Sequence, residues 1–218
     1  MSVITISRQF GSGGQEIATR LCELLGTSFF DKQSIVEAAI ATGLSADSVV
    51  DYSEQYHKVE GFLQRLGKAM TGEPGKRPEL PKVSWGGLEA RLDDEWWLEL
   101  VNTAIRSAYE RGNVVIVGRG GQMVLRDQPD VLHVRIEAPL EDRIRRMQET
   151  QQGTASAARR LIDEHDQASA RYLERGFKAR WDDPYLYHLL INTGRWELEA
   201  ASQLIVAAAE KLQAVHAA

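Results

Sequence analysis

The residues with the most chemical potential lie near the start of the chain, in Ser7-Arg8-Gln9-Phe10-Gly11-Ser12-Gly13-Gly14-Gln15-Glu16-Ile17. The apolar run Val3-Ile4-Thr5-Ile6 precedes them, and a helical apolar pattern of Ile17, Ala18, Leu21, Leu24 and Leu25 follows. A strand, a glycine-rich turn and a helix N-terminus in that order aim several backbone N–H groups at one point, where the helix dipole also favours negative charge. Gly11, Ser12, Gly13, Gly14 and Gln15 are therefore a candidate phosphate cradle. A conventional phosphate-binding loop adds a lysine for the β- and γ-phosphates and a Ser/Thr for magnesium. The positions due to carry them hold Gly14 and Gln15. The stretch from Ser7 to Gly11 allows a wide nest of N–H groups instead of a tight turn. A dinucleotide fingerprint would need glycine where Glu16 stands, although Asp31 downstream superficially fits.

Such a loop needs a sheet to hold it. Thr27-Ser28-Phe29-Phe30 reads as a short strand ending at Asp31, and Val114-Val115-Ile116-Val117 as a buried strand ending in Gly118-Arg119-Gly120-Gly121. Val131–Ile136 and Tyr187–Asn192 are further strand candidates. Helical patterns cover 32–41, 45–70, 88–111, 140–149, 155–178 and 196–215, with Leu100, Ala104 and Ala108 near one face of the third. Gly72, Pro74, Gly75, Pro78 and Pro81 mark 71–87 as a breaker-rich loop. Alternating strands and helices predict an α/β fold, a parallel sheet with helices on both faces and right-handed crossovers. Sites in such sheets lie beyond the strand C-termini. The loop at 8–16, Asp31, the turn at 118–121 and Asn192-Thr193 should therefore converge on one cleft.

Two arginines and one aspartate stand at those ends. Arg8 can bring a cation to the loop from its strand side, or pair with an acidic neighbour at the surface. Arg119 sits between glycines after a buried strand, which suits a phosphate contact. Asp31 suits an N-cap for the helix after it.

Composition narrows the classes. The chain has 218 residues, 43% of them apolar, enough for one core domain with appendages. A formal net charge of −5 argues against binding nucleic-acid polymers or acidic membranes with the whole surface. Cys22 is the single cysteine, so no internal disulfide and no cysteine metal site is expected, and a reducing cytoplasm fits. The five histidines lack metal-ligand spacing, so no dedicated metal site is expected. No apolar stretch reaches membrane-spanning length. Trp96 and Trp97, side by side on a long helix, make that helix a candidate homodimer surface.

ISRQFGSGGQEI, FFDKQSI, VVIVGRGGQMVLRD, VLHVRIEAPLEDRI, ARYLERG and DDPYLYHLLINTG together resemble the cytidylate kinase-like family, a divergent branch of the nucleoside monophosphate kinases within the P-loop superfamily. The resemblance spans nearly the whole chain and is weakest across 45–95. It implies a five-stranded sheet in the order 2-3-1-4-5 with a core at 1–44, 88–150 and 184–218. A monophosphate-binding helical excursion and loop would occupy 45–87, and a lid 151–183. It further implies ATP as phosphoryl donor, magnesium carried with the nucleotide and a pyrimidine monophosphate such as CMP as acceptor. In this reading Gly11, Ser12, Gly13, Gly14 and Gln15 hold the donor, Arg119 and Asp31 the acceptor, and Arg8, Arg171 and Arg175 supply charge to the transfer. The chain departs from the pattern in three places. Gly14 stands on the catalytic lysine, Gly120 stands where an aspartate follows the arginine of the turn, and a lid segment that often reads DRARARYY is Asp166-Gln167-Ala168-Ser169-Ala170-Arg171-Tyr172 here. A phosphotransferase and a catalytically silent nucleotide-binding or interaction module are both compatible with these departures.

Overall fold

The structure is a computed structural model. It describes residues 2–31, 34, 94–151 and 153–216, with the backbone alone for 94–97, 151 and 216. The helices expected at 32–41 and 45–70, the loop at 71–87 and the Trp96 and Trp97 side chains lie outside the described residues.

The elements are β1 (Val3–Arg8), α1 (Gly14–Leu25), β2 (Ser28–Phe30), α2 (Asp94–Arg111), β3 (Val114–Val117), α3 (Gly121–Val124) and β4 (Val131–Glu137). They continue with α4 (Leu140–Gln151), α5 (Ala155–Phe177), a 3-10 turn (Pro184–Leu186), β5 (Leu189–Asn192) and α6 (Leu198–His216). The strands form one parallel sheet in the order β2-β3-β1-β4-β5, so the order the resemblance implied is the order found.

Period-2 alternation splits the strand residues between two cores. Val3, Val114, Ile116 and Val131 face α2, which packs Val101, Ile105 and Ala108 against them. Ile4, Ile6, Val115 and Val134 point the other way, onto Ile17 and Leu21 of α1 and Ala201 and Ile205 of α6. β1 is thus covered on both faces, and cutting a buried residue such as Ile6 to alanine should cost about 2–5 kcal/mol. The buried stripe of α2 is centred on Val101 and Ile105, whereas Leu100 and Ala104 are only partly buried. Ala108 is buried as expected. Leu24 likewise turns outward, 40% exposed, because α1 buries only the face through Ile17, Ala18 and Leu21. A helix repeat of 3.6 residues does not say from sequence which edge of a broad apolar stripe meets the sheet.

α2 stops where the sequence changes character. Gly112 (φ 70°) and Asn113 (φ 48°) both take the left-handed conformation, which ends the helix and starts β3. None of the described helices is long and apolar enough to cross a membrane.

Candidate functional site

The glycine loop leaves the sheet at Arg8, the last residue of β1. The Gln9 N–H donates to the Ile136 carbonyl at 3.0 Å, and Gln9 Oε1 accepts from the Ala138 N–H at 3.1 Å, which ties the departing chain to the end of β4. Gly11 (φ 76°) and Gly13 (φ 81°) then turn it into α1. A side chain at 13 is excluded twice over, since a Cβ there would also lie 2.5 Å from Leu198 Cδ2. On the far side Thr193 Oγ1 donates to the Ser12 carbonyl at 2.6 Å, and Arg146 holds Thr193 through both its hydroxyl and its carbonyl. Thr193 therefore joins the loop, as its position after β5 predicts.

α1 has no side-chain N-cap. Among the described residues nothing accepts from the N–H groups of Gly13, Gly14, Gln15 or Glu16. These are the donors a helix N-terminus leaves open, and they are what an anion would take up. The buried Ser12 hydroxyl also has no partner among the described residues.

Arg8 explains the missing lysine. A Cβ at Gly14 would lie 2.5 Å from Arg8 Cβ and 2.9 Å from its Cγ, and a Cβ at Gly118 would lie 2.5 Å from Arg8 Nη1. The Arg8 side chain thus runs across Gly14 and ends against the turn after β3. The space a residue-14 side chain would leave by is filled by the neighbouring strand's cation.

In that second turn the Gly118 N–H donates to the Ile6 carbonyl at 2.8 Å, and Gly118, Arg119 and Gly120 have φ of 75°, 54° and 70°. A left-handed arginine is uncommon, and α5 supports it. The Tyr172 hydroxyl donates to the Arg119 carbonyl at 3.4 Å, and the Arg119 guanidinium carbon lies 5.9 Å from the Tyr172 ring centre. Phe177 covers Gly120, where a Cβ would come within 2.6 Å of the ring.

Arg8, Asp31, Arg119, Phe10, Tyr172 and Trp181 all line one cavity of about 300 Å³. Burial lowers the pKa of Arg8, and the nearby Arg119 lowers it further, while Asp31 opposes both effects. Burial also lowers that of Arg119, opposed by Tyr172 and Asp31. Burial pushes the Tyr172 phenol up to about 12, against the pull of Arg119. Two crowded guanidinium groups face one carboxylate, so the described wall favours an anion. Asp31 takes the capping role expected for it and also faces the cleft. Its Oδ1 accepts from the Ser34 N–H at 3.2 Å, as an N-cap does, and it lines the cavity.

Arg171 and Arg175 are placed differently. α5 presents His165, Ser169, Tyr172 and Leu173 to the cavity. Arg171 instead donates from Nη1 to Gln167 Oε1 at 3.4 Å, and neither arginine is among the described residues lining the cavity. At about 100° per residue, a helix face that carries Tyr172 inward carries Arg171 to its flank. Sequence reasoning counted the cations of this segment without their phase.

It also missed Arg135, Trp181 and Tyr187. Arg135 is fully buried on β4, donates to the Trp181 carbonyl at 2.6 Å and lies 4.4 Å from the Trp181 ring centre. Trp181 Nε1 and the Tyr187 hydroxyl in turn donate to Ser7 Oγ at 2.9 and 3.2 Å. The belt fixes the chain beyond α5 to the end of β1. No periodicity or motif signals it, because its members come from two strands and from the connection before β5. Among the described residues no group of His, Cys, Asp and Glu could hold a metal ion.

A parallel sheet in this order, whose first strand hands a glycine loop to a helix N-terminus, is the P-loop kinase fold. The chain belongs to the cytidylate kinase-like family, whose model matches residues 3–195. It is 26% identical over 108 residues to a cytidylate kinase from Halobacterium salinarum, covering 50% of this chain and 56% of that one. The chain thus spans little more than half the length of that curated relative. An uncharacterized protein from Eubacterium ventriosum has a similar fold, with a TM-score of 0.65 at 18% identity, covering 96% of this chain and 99% of that one. A shikimate kinase from Bacteroides thetaiotaomicron matches with a TM-score of 0.50 at 14% identity, over 96% of this chain and 98% of that one.

Proposed function

We propose that the protein transfers the γ-phosphoryl group of ATP to a nucleoside monophosphate, CMP or a close pyrimidine analogue. The observation that carries this reading is the juxtaposition of open N–H donors at Gly13 to Glu16 with Arg8, Arg119 and Asp31 around one cavity. The amides of Gly11 to Gln15 hold the donor phosphates at the N-terminus of α1. Arg119 holds the acceptor phosphate, and Asp31 lines the same cavity and helps position the acceptor. An acceptor oxygen attacks the γ-phosphorus, the bond to the β-phosphate oxygen breaks and ADP leaves. Position and charge supply most of the catalysis in such a transfer. Arg8, reaching from the cradle to the acceptor turn, places a cation between donor and acceptor. Gln15 stands where a magnesium-binding hydroxyl is usual, so an ion arriving with the nucleotide would be held mainly by phosphates and water and would neutralise their charge. α5 serves as the lid.

The second reading is a nucleotide-binding module without transfer. It is favoured by the placement of Arg171 and Arg175 away from the described cavity wall. ADP formation with ATP, magnesium and each monophosphate, measured beside calorimetric ATP binding, separates the two. Turnover with CMP that falls about 100-fold in Arg8→Ala supports transfer. Tight binding without turnover by any monophosphate leaves the silent module.

A further inference from the structure

We propose that Asp166 is a positioning residue for the glycine loop, fastening α5 to it through the Phe10 N–H and Arg143. Phe10 is held at both its polar backbone atoms. Its N–H donates to Asp166 Oδ1 at 2.9 Å, and its carbonyl accepts from Arg143 Nη1 at 3.3 Å. The two side chains close the ring, since the same Nη1 donates to Asp166 Oδ2 at 2.6 Å. Neither is well solvated, at 9% exposure for the Arg143 side chain and 20% for Asp166. An ion pair in that setting is screened little and is stronger than one at the surface.

Two further contacts act at the same place. The Phe10 ring stacks on His165, the neighbour of Asp166, with centres 3.8 Å apart and planes within 2°. Gly11 lies so close to α4 that a Cβ there would be 3.3 Å from both the Arg143 backbone oxygen and Met147 Cγ. Phe10 is thus clamped from α5 and backed by α4, immediately before the residues whose N–H groups form the cradle. The Arg143 Nε is buried with no partner among the described residues. The guanidinium instead meets the carboxylate through Nη1 alone, the nitrogen that also reaches the Phe10 carbonyl, so its placement follows the loop.

The clamp makes the cradle's geometry depend on the seat of α5. Moving Phe10 moves the origin of the nest, and a displacement of about 1 Å at a phosphate site can cost on the order of 100-fold in rate. Gln167 and Ser169 stand where the family's lid often carries arginines, whereas Asp166 keeps the carboxylate that opens that segment and seats α5 on the loop. The inference rests on the proposed nucleotide reading only for the second of its two readouts.

Amide hydrogen exchange of peptides covering 8–16 and 160–172 is the first readout, in the wild type, Asp166→Ala and Asp166→Asn. In Asp166→Ala both peptides should exchange about tenfold faster, with the rest of the sheet unchanged. Asp166→Asn keeps an acceptor for the Phe10 N–H without the charge. It should return the loop peptide to within about threefold of wild type while the α5 peptide stays fast. The second readout is calorimetric ATP–magnesium affinity, expected to fall about tenfold in Asp166→Ala and far less in Asp166→Asn. Unchanged loop exchange in Asp166→Ala overturns the proposal, and so does tighter ATP binding, which would make Asp166 a competitor of phosphate. If Asp166→Ala does not fold, Asp166→Asn and Arg143→Gln decide by the same exchange pattern. If the wild type does not bind ATP, the nucleotide reading fails, and the exchange pattern alone judges the clamp.

Discussion

The loop after β1 and the turn after β3 lie side by side, since Ile6 pairs with Val117, and both are glycine-rich junctions at strand C-termini. They use glycine for opposite ends. In the first, Gly13 and Gly14 open a 12-residue helix whose leading N–H groups find no acceptor among the described residues, so the backbone is what the junction offers to the cleft. In the second, Gly118 and Gly120 frame Arg119 ahead of a four-residue helix, and the side chain is what the junction offers to the cleft. Arg8 belongs to one junction and ends in the other. A strand-end glycine motif therefore says that something is approached closely, and its surroundings say whether backbone or side chain does the approaching.

The sharpest way to break this contrast is to move the cation back. Gly14→Lys alone should lose about 100-fold or more in kcat/KM, because its Cβ falls on the Arg8 stem. Arg8→Gly combined with Gly14→Lys should regain at least about tenfold of that loss. A double variant no better than Gly14→Lys would show that the two side chains do not exchange roles.

Arg119→Ala should lower kcat/KM for the acceptor by about 100-fold, with ATP affinity changed by less than about threefold. Parallel loss of both would show that the two junctions do not divide the substrates. Gly120→Ala should destabilise the fold by about 1–3 kcal/mol in urea unfolding, from its positive φ and the contact with Phe177. Phe177→Ala in the same chain should relieve the contact and leave the backbone strain.

The last test is a control at a histidine that does not line the cavity. His133 hydrogen-bonds Thr5 Oγ1 at 2.7 Å inside the sheet, and burial, aided by His188, pushes its pKa down from 6.5 to about 4. The unfolded chain takes up that proton near pH 6.5 and the folded chain does not, so stability is full above 6.5 and lost as pH falls toward 4. Between pH 7 and 5 the loss should be about 2 kcal/mol, and a His133→Val variant should flatten that part of the profile. ATP binding in His133→Val should match the wild type, since the ring lies outside the described cavity wall.

Much of this was legible in the amino-acid sequence. Val/Ile runs locate the three central strands and short apolar runs the two edge strands, and the glycine spacing locates the cradle, because strand burial and left-handed turns restrict residue type strongly and locally. Arg8, Asp31 and Arg119 could be picked out for the same reason, since each ends a strand whose C-terminus must face the cleft. The helical cations could not be sorted. Arg143 lies within the charged run of α4 and resembles its exposed neighbour Arg145, yet it is buried against Phe10, whereas Arg171 donates to Gln167 and is not among the described residues lining the cavity. The sequence by itself determined the sheet, its glycine junctions and the absence of a lysine at position 14. Only the tertiary structure decided that Arg8 fills that place, that Phe177 covers Gly120 and that Asp166 holds Phe10. Backbone restrictions act between neighbours in the chain, whereas these contacts join residues far apart in sequence, through packing directions that no local pattern encodes.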